Sequence, residues 1–501
     1  MICDLLSKHR LSEKVAVISN EKCYTYRQWY EKAISLSNEI KHHSSGRICG
    51  IFIPNGIHYA VSYFACLYAN KVVAPFSMGT TMEEFRSMIE YCNICLIITV
   101  PECVYQIVET IDTFNLSTSI LVLNEDIGVQ EWHVKDVVGE NQDTNEEELE
   151  DVVALLHTSG TTSKPKRVML TNYGLLHNIK AHCVSLGLSE NEVSLVQLPM
   201  MFGYCNTAQF LAHVYLGSTI VINNAPFIIG DFFRMIERWK VTNYTAVPTM
   251  LFVLSKCNKS SYDISSLKII CFGGGPVSKE LLHVLFQKYP SVAFIQTYGL
   301  TEAGPRVTTL PIMDYIRKAG SVGITIPDVQ IRIVDDRGEE LRRGKVGQII
   351  VNSEGKMKGY YRRNAETKIA IVNNWLYTGD MGYISEDGFL YLEGRKKNII
   401  ISGGQNVYPE EVEEIITCFR GILEAKVYGV PNDLLGEEVH ADIVVEETDC
   451  FSADLLLTYC KSKLSGYKIP KQINCVELIE RTYNGKIKRN PDSRVRSAGK
   501  A

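Results

Sequence analysis

Hydrophobic and polar positions follow two rhythms along this chain. Short apolar runs, VAVIS (15–19), RICGIFI (47–53), KVVAPF (71–76) and CLIITV (95–100), read as buried strands. Between them, Tyr26 to His42 and Ile57 to Ala69 carry apolar residues at helical spacing. The alternation predicts an open, mostly parallel sheet with helices on its faces. A polar, acidic stretch, GENQDTNEEELED (139–151), predicts a solvated loop. The rhythm then resumes: a helix from about Gly174 to Leu186, strands SLVQL (194–198) and STIVI (218–222), a helix over Asp231 to Lys240, and the strand NYTAV (243–247).

Three predicted strands break abruptly into small or polar residues. VVALL (152–156) leads into Thr158, Ser159, Gly160, Thr161, Thr162, Ser163, Lys164, Pro165 and Lys166. LKIICF (267–272) runs into Gly273, Gly274, Gly275 and Pro276, with Ser278 placed as the N-cap of a helix. AFIQ (293–296) runs into Tyr298, Gly299, Leu300, Thr301 and Glu302. The carboxyl ends of strands are where α/β sheets bind ligands. The hydroxyl-rich loop with two lysines offers convergent donors and positive charge, which suits a polyphosphate. It is not a Walker A loop, because the G-x-x-x-x-G-K-[ST] spacing is absent.

After about 320 the pattern turns hairpin-like. QIRIVDDRGEEL, GQIIV and YISEDGFLYLEG are β-rich runs punctuated by Asp336-Arg337-Gly338 and Glu386-Asp387-Gly388. A charged strip, Gly-Arg-Lys-Lys-Asn (394–398), precedes a final stretch in which helix and strand alternate. One helix there is signalled by Pro409 at its start and Glu410, Glu411 and Glu413 in its first turns.

Composition narrows the class. At 501 residues the chain is too long for one core, and length alone predicts about three domains or subdomains. Hydrophobic residues make up 46% and charged residues 22%, ordinary for a globular protein. A net charge of −5 argues against nonspecific nucleic-acid binding. The 15 cysteines show no repeating spacing, and Cys92 and Cys95 lack a second pair or nearby histidines, so they read as small apolar side chains leading into a strand. The first residues, MICDLLSKHRLSEK, lack the apolar core of a secretory leader, and no apolar run reaches a membrane span. The expectation is a soluble, cytoplasmic protein with reduced thiols.

The motifs HTSGTTSKPKRVMLTN, GGGP, QTYGLTEAGP, YTGD, GRKKNIIISGGQNVYPEEVE and RTYNGKIKR, with YTYRQWYEKA and FIPNG near the N-terminus, resemble the adenylate-forming superfamily in order and spacing. That group includes acyl- and aryl-CoA synthetases, firefly luciferase and the adenylation domains of nonribosomal peptide synthetases. The resemblance implies an α/β fold. A large N-terminal domain (1–394) would hold open, mostly parallel sheets and a β-rich subdomain (about 320–394). A small mobile α+β domain (395–501) would turn about a hinge near Lys397. It also implies a two-step reaction: a carboxylate and ATP give acyl-AMP and pyrophosphate, and a thiol then takes the acyl group.

Site residues carry over position by position. Thr158 to Lys166 would grip the pyrophosphate, with Thr161, Thr162 and Lys166 as donors to the β- and γ-phosphates. Gly274, Gly275 and Pro276 would carry the adenine, where a flat base needs bare backbone. Tyr298 would belong to the nucleotide site. Thr301 and Glu302 would contact the α-phosphate, and Glu302 would hold Mg²⁺. Asp380 would accept from both ribose hydroxyls, with Arg395 on the same sugar. Lys486 would bridge the carboxylate and α-phosphate, where charge builds during transfer. Gly403 and Gly404 would line the thiol's entry tunnel. Taken alone, each would read as a turn glycine or a surface charge; six motifs in register favour function.

Four positions depart from the family pattern. Ser163 and Arg167 stand where glycines are usual, Glu480 where a proline is common, and Phe202 where a histidine is usual. Bulk at Arg167 could alter loop closure or add a phosphate contact. None removes a catalytic group. The acyl pocket is expected along Phe202 to Gln209, Cys271 to Gly275 and Tyr298 to Arg306, with Phe202, Tyr204 and Gly299 lining it. No aspartate stands near Tyr204, which disfavours an α-amino acid as substrate. No carrier domain follows residue 501, so the acceptor thiol is expected from outside: CoA first, a separate acyl carrier protein second. A luciferase-like oxidase and a nonenzymatic nucleotide-binding homologue are the competing classes.

Overall fold

The computed structural model describes residues 1–44, 46–133, 147–157, 166–257, 262–432, 435–446, 451–481 and 487–488. Two large sheets dominate. In one, parallel strands lie in the order Ala293–Tyr298, Ile269–Phe272, Asn243–Ala246, Val193–Val196, Thr219–Ile222 and Val15–Ser19. Antiparallel strands close both its edges. In the other, Val152–His157, Val72–Pro75, Ile48–Phe52, Leu96–Thr99 and Ser119–Leu123 run parallel. Arg167–Thr171, then Gly359–Tyr360, extend it antiparallel beyond Val152–His157. The parallel strands predicted from apolar runs are in place because both faces of such sheets are buried, which selects continuous hydrophobic runs.

One helix explains how the sheets stack. Ile57–Tyr68 is buried almost all round and touches Val15–Ser19 of one sheet as well as Ile48–Phe52 and Val72–Pro75 of the other. A helix apolar on every side belongs in the middle of a fold rather than on its surface. Its partner, Tyr26–His43, begins with a full capping box between Thr25 and Gln28. It buries Trp29 against Phe64 and Phe210, with ring centroids 5.5 and 6.0 Å away.

The β-rich region forms a five-stranded antiparallel sheet of Val329–Val334, Gly347–Ser353, Trp375–Ile384, Ile371–Val372 and Leu390–Arg395. Gly338 and Gly388 take positive φ (84° and 90°) at the two predicted turns. The last part of the chain builds its own core from Ile400, Val412, Ile416, Val427, Ile443 and Leu456. There the helix Pro409–Thr417 packs on a sheet of Gln405–Val407, Ile400–Ser402, Gly436–Val445, Ile422–Asn432 and Gln472–Cys475. The fold is therefore the expected one: a large α/β N-terminal domain and a smaller C-terminal domain. Among the described residues no helix is long and apolar enough to cross a membrane.

Candidate active site

The carboxyl ends of Ile269–Phe272 and Ala293–Tyr298, neighbours in one sheet, carry two of the loops singled out in the sequence. Gly274 has φ +83°, a conformation glycine adopts without strain. Nothing lies within 4 Å of where its side chain would begin, so Gly274 presents bare backbone. Ser278 caps the following helix, accepting from the Leu281 N–H at 3.2 Å. Past Tyr298, the chain turns so tightly at Gly299 that an added Cβ would overlap the Pro305 carbonyl. That turn places Thr301 and Glu302 on a single 3-10 turn, Thr301–Ala303. Met357 N–H donates to the Glu302 carbonyl at 2.8 Å and fixes the turn to the chain entering Gly359–Tyr360. Substituting Gly299 by Ala should displace this turn and reduce adenylation about tenfold to a hundredfold, the scale of a 1 Å misplacement. Single-turnover pyrophosphate release would read it.

The β-rich sheet supplies the other wall. Asp380 and Arg395 are register partners on neighbouring antiparallel strands. Arg395 Nε lies 2.6 Å from Asp380 Oδ1, and the Tyr298 hydroxyl donates to Asp380 Oδ2 at 2.7 Å. Asp380 is only 6% exposed. Burial opposes the Arg395 charge, but Asp380, Tyr298, Glu302 and Glu410 outweigh it and raise its pKa above the usual value. Burial, then the Asp380 charge, pushes the Tyr298 phenol well above its usual range, so it stays a donor. Each carboxylate oxygen keeps a further lone pair, which a ribose hydroxyl can use.

Tyr360 joins the two walls, and no motif marks it. Its hydroxyl donates to Glu302 Oε1 at 3.0 Å, while Lys166 Nζ lies 4.6 Å from its ring centroid. Its position follows from strand pairing: Tyr360 stands opposite Val168, just past Lys166, on the strand antiparallel to Val152–His157. A cation–π contact at such a site is worth about 0.5–1 kcal/mol, against about 1.5–3 kcal/mol for a hydrogen bond to a charged group. Lys166 would therefore leave the ring for a phosphate. Glu302 Oε2 accepts no hydrogen bond from the described residues. One hard carboxylate oxygen beside a polyphosphate site fits Mg²⁺, which is commonly held by one or two carboxylates plus substrate phosphates and water.

Thr158, Ser159, Gly160, Thr161, Thr162 and Lys486 lie outside the described residues. Arg167 is 1% exposed, paired across the strands with His157 and taken into the sheet. Glu480 sits where Lys488 N–H donates to its carbonyl at 2.8 Å, next to an antiparallel bridge between Arg481 and Ile487. Lys397 lies close to the Asp380–Arg395 pair. Burial, then the nearby Arg395 charge, lowers its pKa, with Asp380 opposing and Lys166 adding to the shift. Gly403 and Gly404 form an exposed hairpin turn with positive φ (60° and 77°), and nothing lies within 4 Å of a side chain at Gly404. Tyr204 and Phe202 begin an interrupted helix, Gly203–Cys205, whose next turn, Asn206–Leu211, is a π-helix. Such bulges are frequent at functional sites. The Tyr204 hydroxyl lies 3.2 Å from Thr297 Oγ1, and Gly203 abuts Thr301, which sets this segment against the strand ends.

Residues 7–361 match the AMP-binding enzyme family, and residues 411–486 match the AMP-binding enzyme C-terminal domain. The chain belongs to the AMP-binding enzyme family. It is 34% identical to a 2-succinylbenzoate–CoA ligase of Listeria monocytogenes over 68% of this chain and 70% of that protein. It is 30% identical to a feruloyl-CoA synthase of Amycolatopsis over 87% and 86%. Among solved structures, the o-succinylbenzoate CoA synthetase of Bacillus subtilis with ATP and magnesium ion superposes with a TM-score of 0.85. That likeness is at 26% identity and covers 97% of this chain and 98% of that one. As an AMP-binding enzyme the chain is an AMP-forming acid–thiol ligase of the acyl-CoA synthetase kind.

Proposed function

We propose that this AMP-binding enzyme joins an acyl or aryl carboxylic acid to CoA at the site just described. The observation that carries the reading is one continuous cluster. Tyr298, Asp380 and Arg395 form a ribose anchor beside Glu302, Tyr360 and Lys166, which face phosphate and cation. In the first step a carboxylate oxygen of the acid attacks the α-phosphorus and pyrophosphate leaves. Lys166, with the hydroxylated residues Thr158 to Thr162, holds the departing phosphates, and Lys486 bridges the reacting oxygens. When bound, Mg²⁺ on Glu302 neutralises phosphate charge. In the second step the thiol sulfur attacks the acyl carbonyl, AMP leaves and the thiol proton is released. Gly403 and Gly404 border the thiol's approach, and the domain from 395 onward turns about Lys397 between steps. All described cysteines are free thiols, which suits the cytoplasm.

The relatives' acids, 2-succinylbenzoate and ferulate, place aryl acids first in the panel to be tried, with fatty acids beside them. Pyrophosphate release should depend on an acid, and thioester should form with CoA rather than with a separate acyl carrier protein. Acid-independent behaviour would leave a nucleotide-binding protein without ligase activity. Replacing Tyr204 with Ala should reorder the preferred acids while the KM for ATP stays within about twofold, since the ring contacts the pocket stretch and not the phosphate residues. An unchanged ranking would put the pocket elsewhere.

A further inference from the structure

The pocket stretch contains a buried cation with no counter-ion among the described residues. Arg306 is 1% exposed. Its Nε donates to His182 Nδ1 at 3.2 Å, its guanidinium carbon lies 5.3 Å from the Tyr204 ring centroid, and Nη2 has no hydrogen-bond partner among the described residues. Arg306 makes no ion pair with any described carboxylate. The groups around it are neutral at physiological pH. His182 uses its other nitrogen on the Ala208 carbonyl at 3.0 Å, and burial, then Arg306 itself, holds its pKa well below the usual value. Burial raises the Tyr204 phenol and pushes the Cys271 thiol up to about 11. His213, close to His182, is also held neutral by burial.

The Arg306 main chain is held on both sides. Its N–H donates to the Gly304 carbonyl at 2.7 Å, and Asn178 Nδ2 donates to its own carbonyl at 2.7 Å. Its side chain is enclosed, with only 1% of the residue exposed. A guanidinium carries its charge throughout the physiological range. An unpaired buried charge costs several kcal/mol, a cost that an incoming anion would offset. The position identifies that partner. Tyr204, whose ring meets the guanidinium, also reaches Thr297 and the Gly273 strand end, so the cation lies one aromatic ring from the adenylation site. A planar fork of donors matches a carboxylate.

We propose that Arg306 receives a second carboxylate of the substrate, so that the acid activated here is a dicarboxylic acid with one group reacting at ATP and the other held beside Tyr204. The proposal rests on the ligase reading above. Its test compares matched pairs, adipate with hexanoate, homophthalate with phenylacetate, and each acid that turns over in the wider panel with its counterpart lacking the distal carboxylate. In the wild type, kcat/KM should favour the diacid by about a hundredfold or more, as for sites whose buried polar groups go unpaired with the wrong substrate. Arg306→Met should remove that preference by lowering kcat/KM for the diacid far more than for the monoacid, and keep the KM for ATP and the thermal stabilisation by ATP. Arg306→Lys should restore part of the preference. A wild type that prefers monoacids would overturn the proposal, even if Arg306→Met failed to fold. So would an Arg306→Met variant that slowed both classes equally. If no acid of either class released pyrophosphate, the ligase reading itself would fail, and the role of Arg306 with it.

Discussion

Glu302→Gln and Lys166→Ala should each lower acid-dependent pyrophosphate exchange by about two to three orders of magnitude, the cost of losing one preorganised charge-stabilising contact. The geometry makes Glu302→Gln a clean change. The amide keeps an oxygen that can accept from Tyr360, now at 3.0 Å, but it removes the negative charge that a divalent cation needs. The turn, held through the Glu302 main-chain carbonyl by Met357, is untouched. Lys166→Ala gives up a cation–π contact worth about 0.5–1 kcal/mol, so stability should hardly change while the phosphate loses its cation. Tyr360→Phe supplies the comparison. It keeps the ring under Lys166 and loses one hydrogen bond, so its effect should stay near tenfold. Wild-type exchange in both Glu302→Gln and Lys166→Ala would show that the phosphate site lies elsewhere.

The parallel strands were legible because burial on both faces demands unbroken apolar runs, as at VAVIS and CLIITV. The strand-end loops were legible because small residues interrupt those runs where ligands bind. What escaped depends on pairing between distant segments. Arg167–Thr171 is short and begins with an arginine, so nothing in its pattern marks a strand. Its pairing with Val152–His157 hides Arg167 in the sheet, which a reading of bulk at the loop could not foresee. Tyr360 reaches Glu302 only because Gly359–Tyr360 adds to that same strand. The π-helical turn Asn206–Leu211 left no periodic trace, since its polar Asn206, Thr207 and Gln209 are all buried. Asp380 and Arg395 were named through resemblance alone, and the strand register is what makes them a pair.

Lys486→Ala should abolish acyl-adenylate formation yet still convert supplied acyl-AMP and thiol to thioester, and Gly404→Leu should do the reverse. Both residues follow the strip Lys396–Asn398, and the family assigns them to different steps. In this arrangement Gly404 faces open space, so a leucine there meets nothing, and pyrophosphate release should proceed for one turnover. For Gly404 to border a thiol's path, the C-terminal domain must turn. That turn must part the helix Pro409–Thr417 from the strand Leu390–Arg395, on which it packs. Lys396 pairs with Asp336 at 2.7 Å between exposed side chains, worth about 0–1 kcal/mol, and Cys418 Sγ meets Glu280 across the domains at 3.4 Å. Lys397→Pro, which fixes φ at the pivot, should likewise spare adenylation more than thioester formation. Because Gly404 sits at φ +77°, part of any leucine effect is backbone strain. Asparagine tolerates that conformation, so a thioester defect in Gly404→Asn as well would mark bulk as the cause. Rapid-quench assays of each half-reaction would decide. Equal impairment of both steps by Lys486→Ala and Gly404→Leu would rule out alternation of the small domain between two working poses.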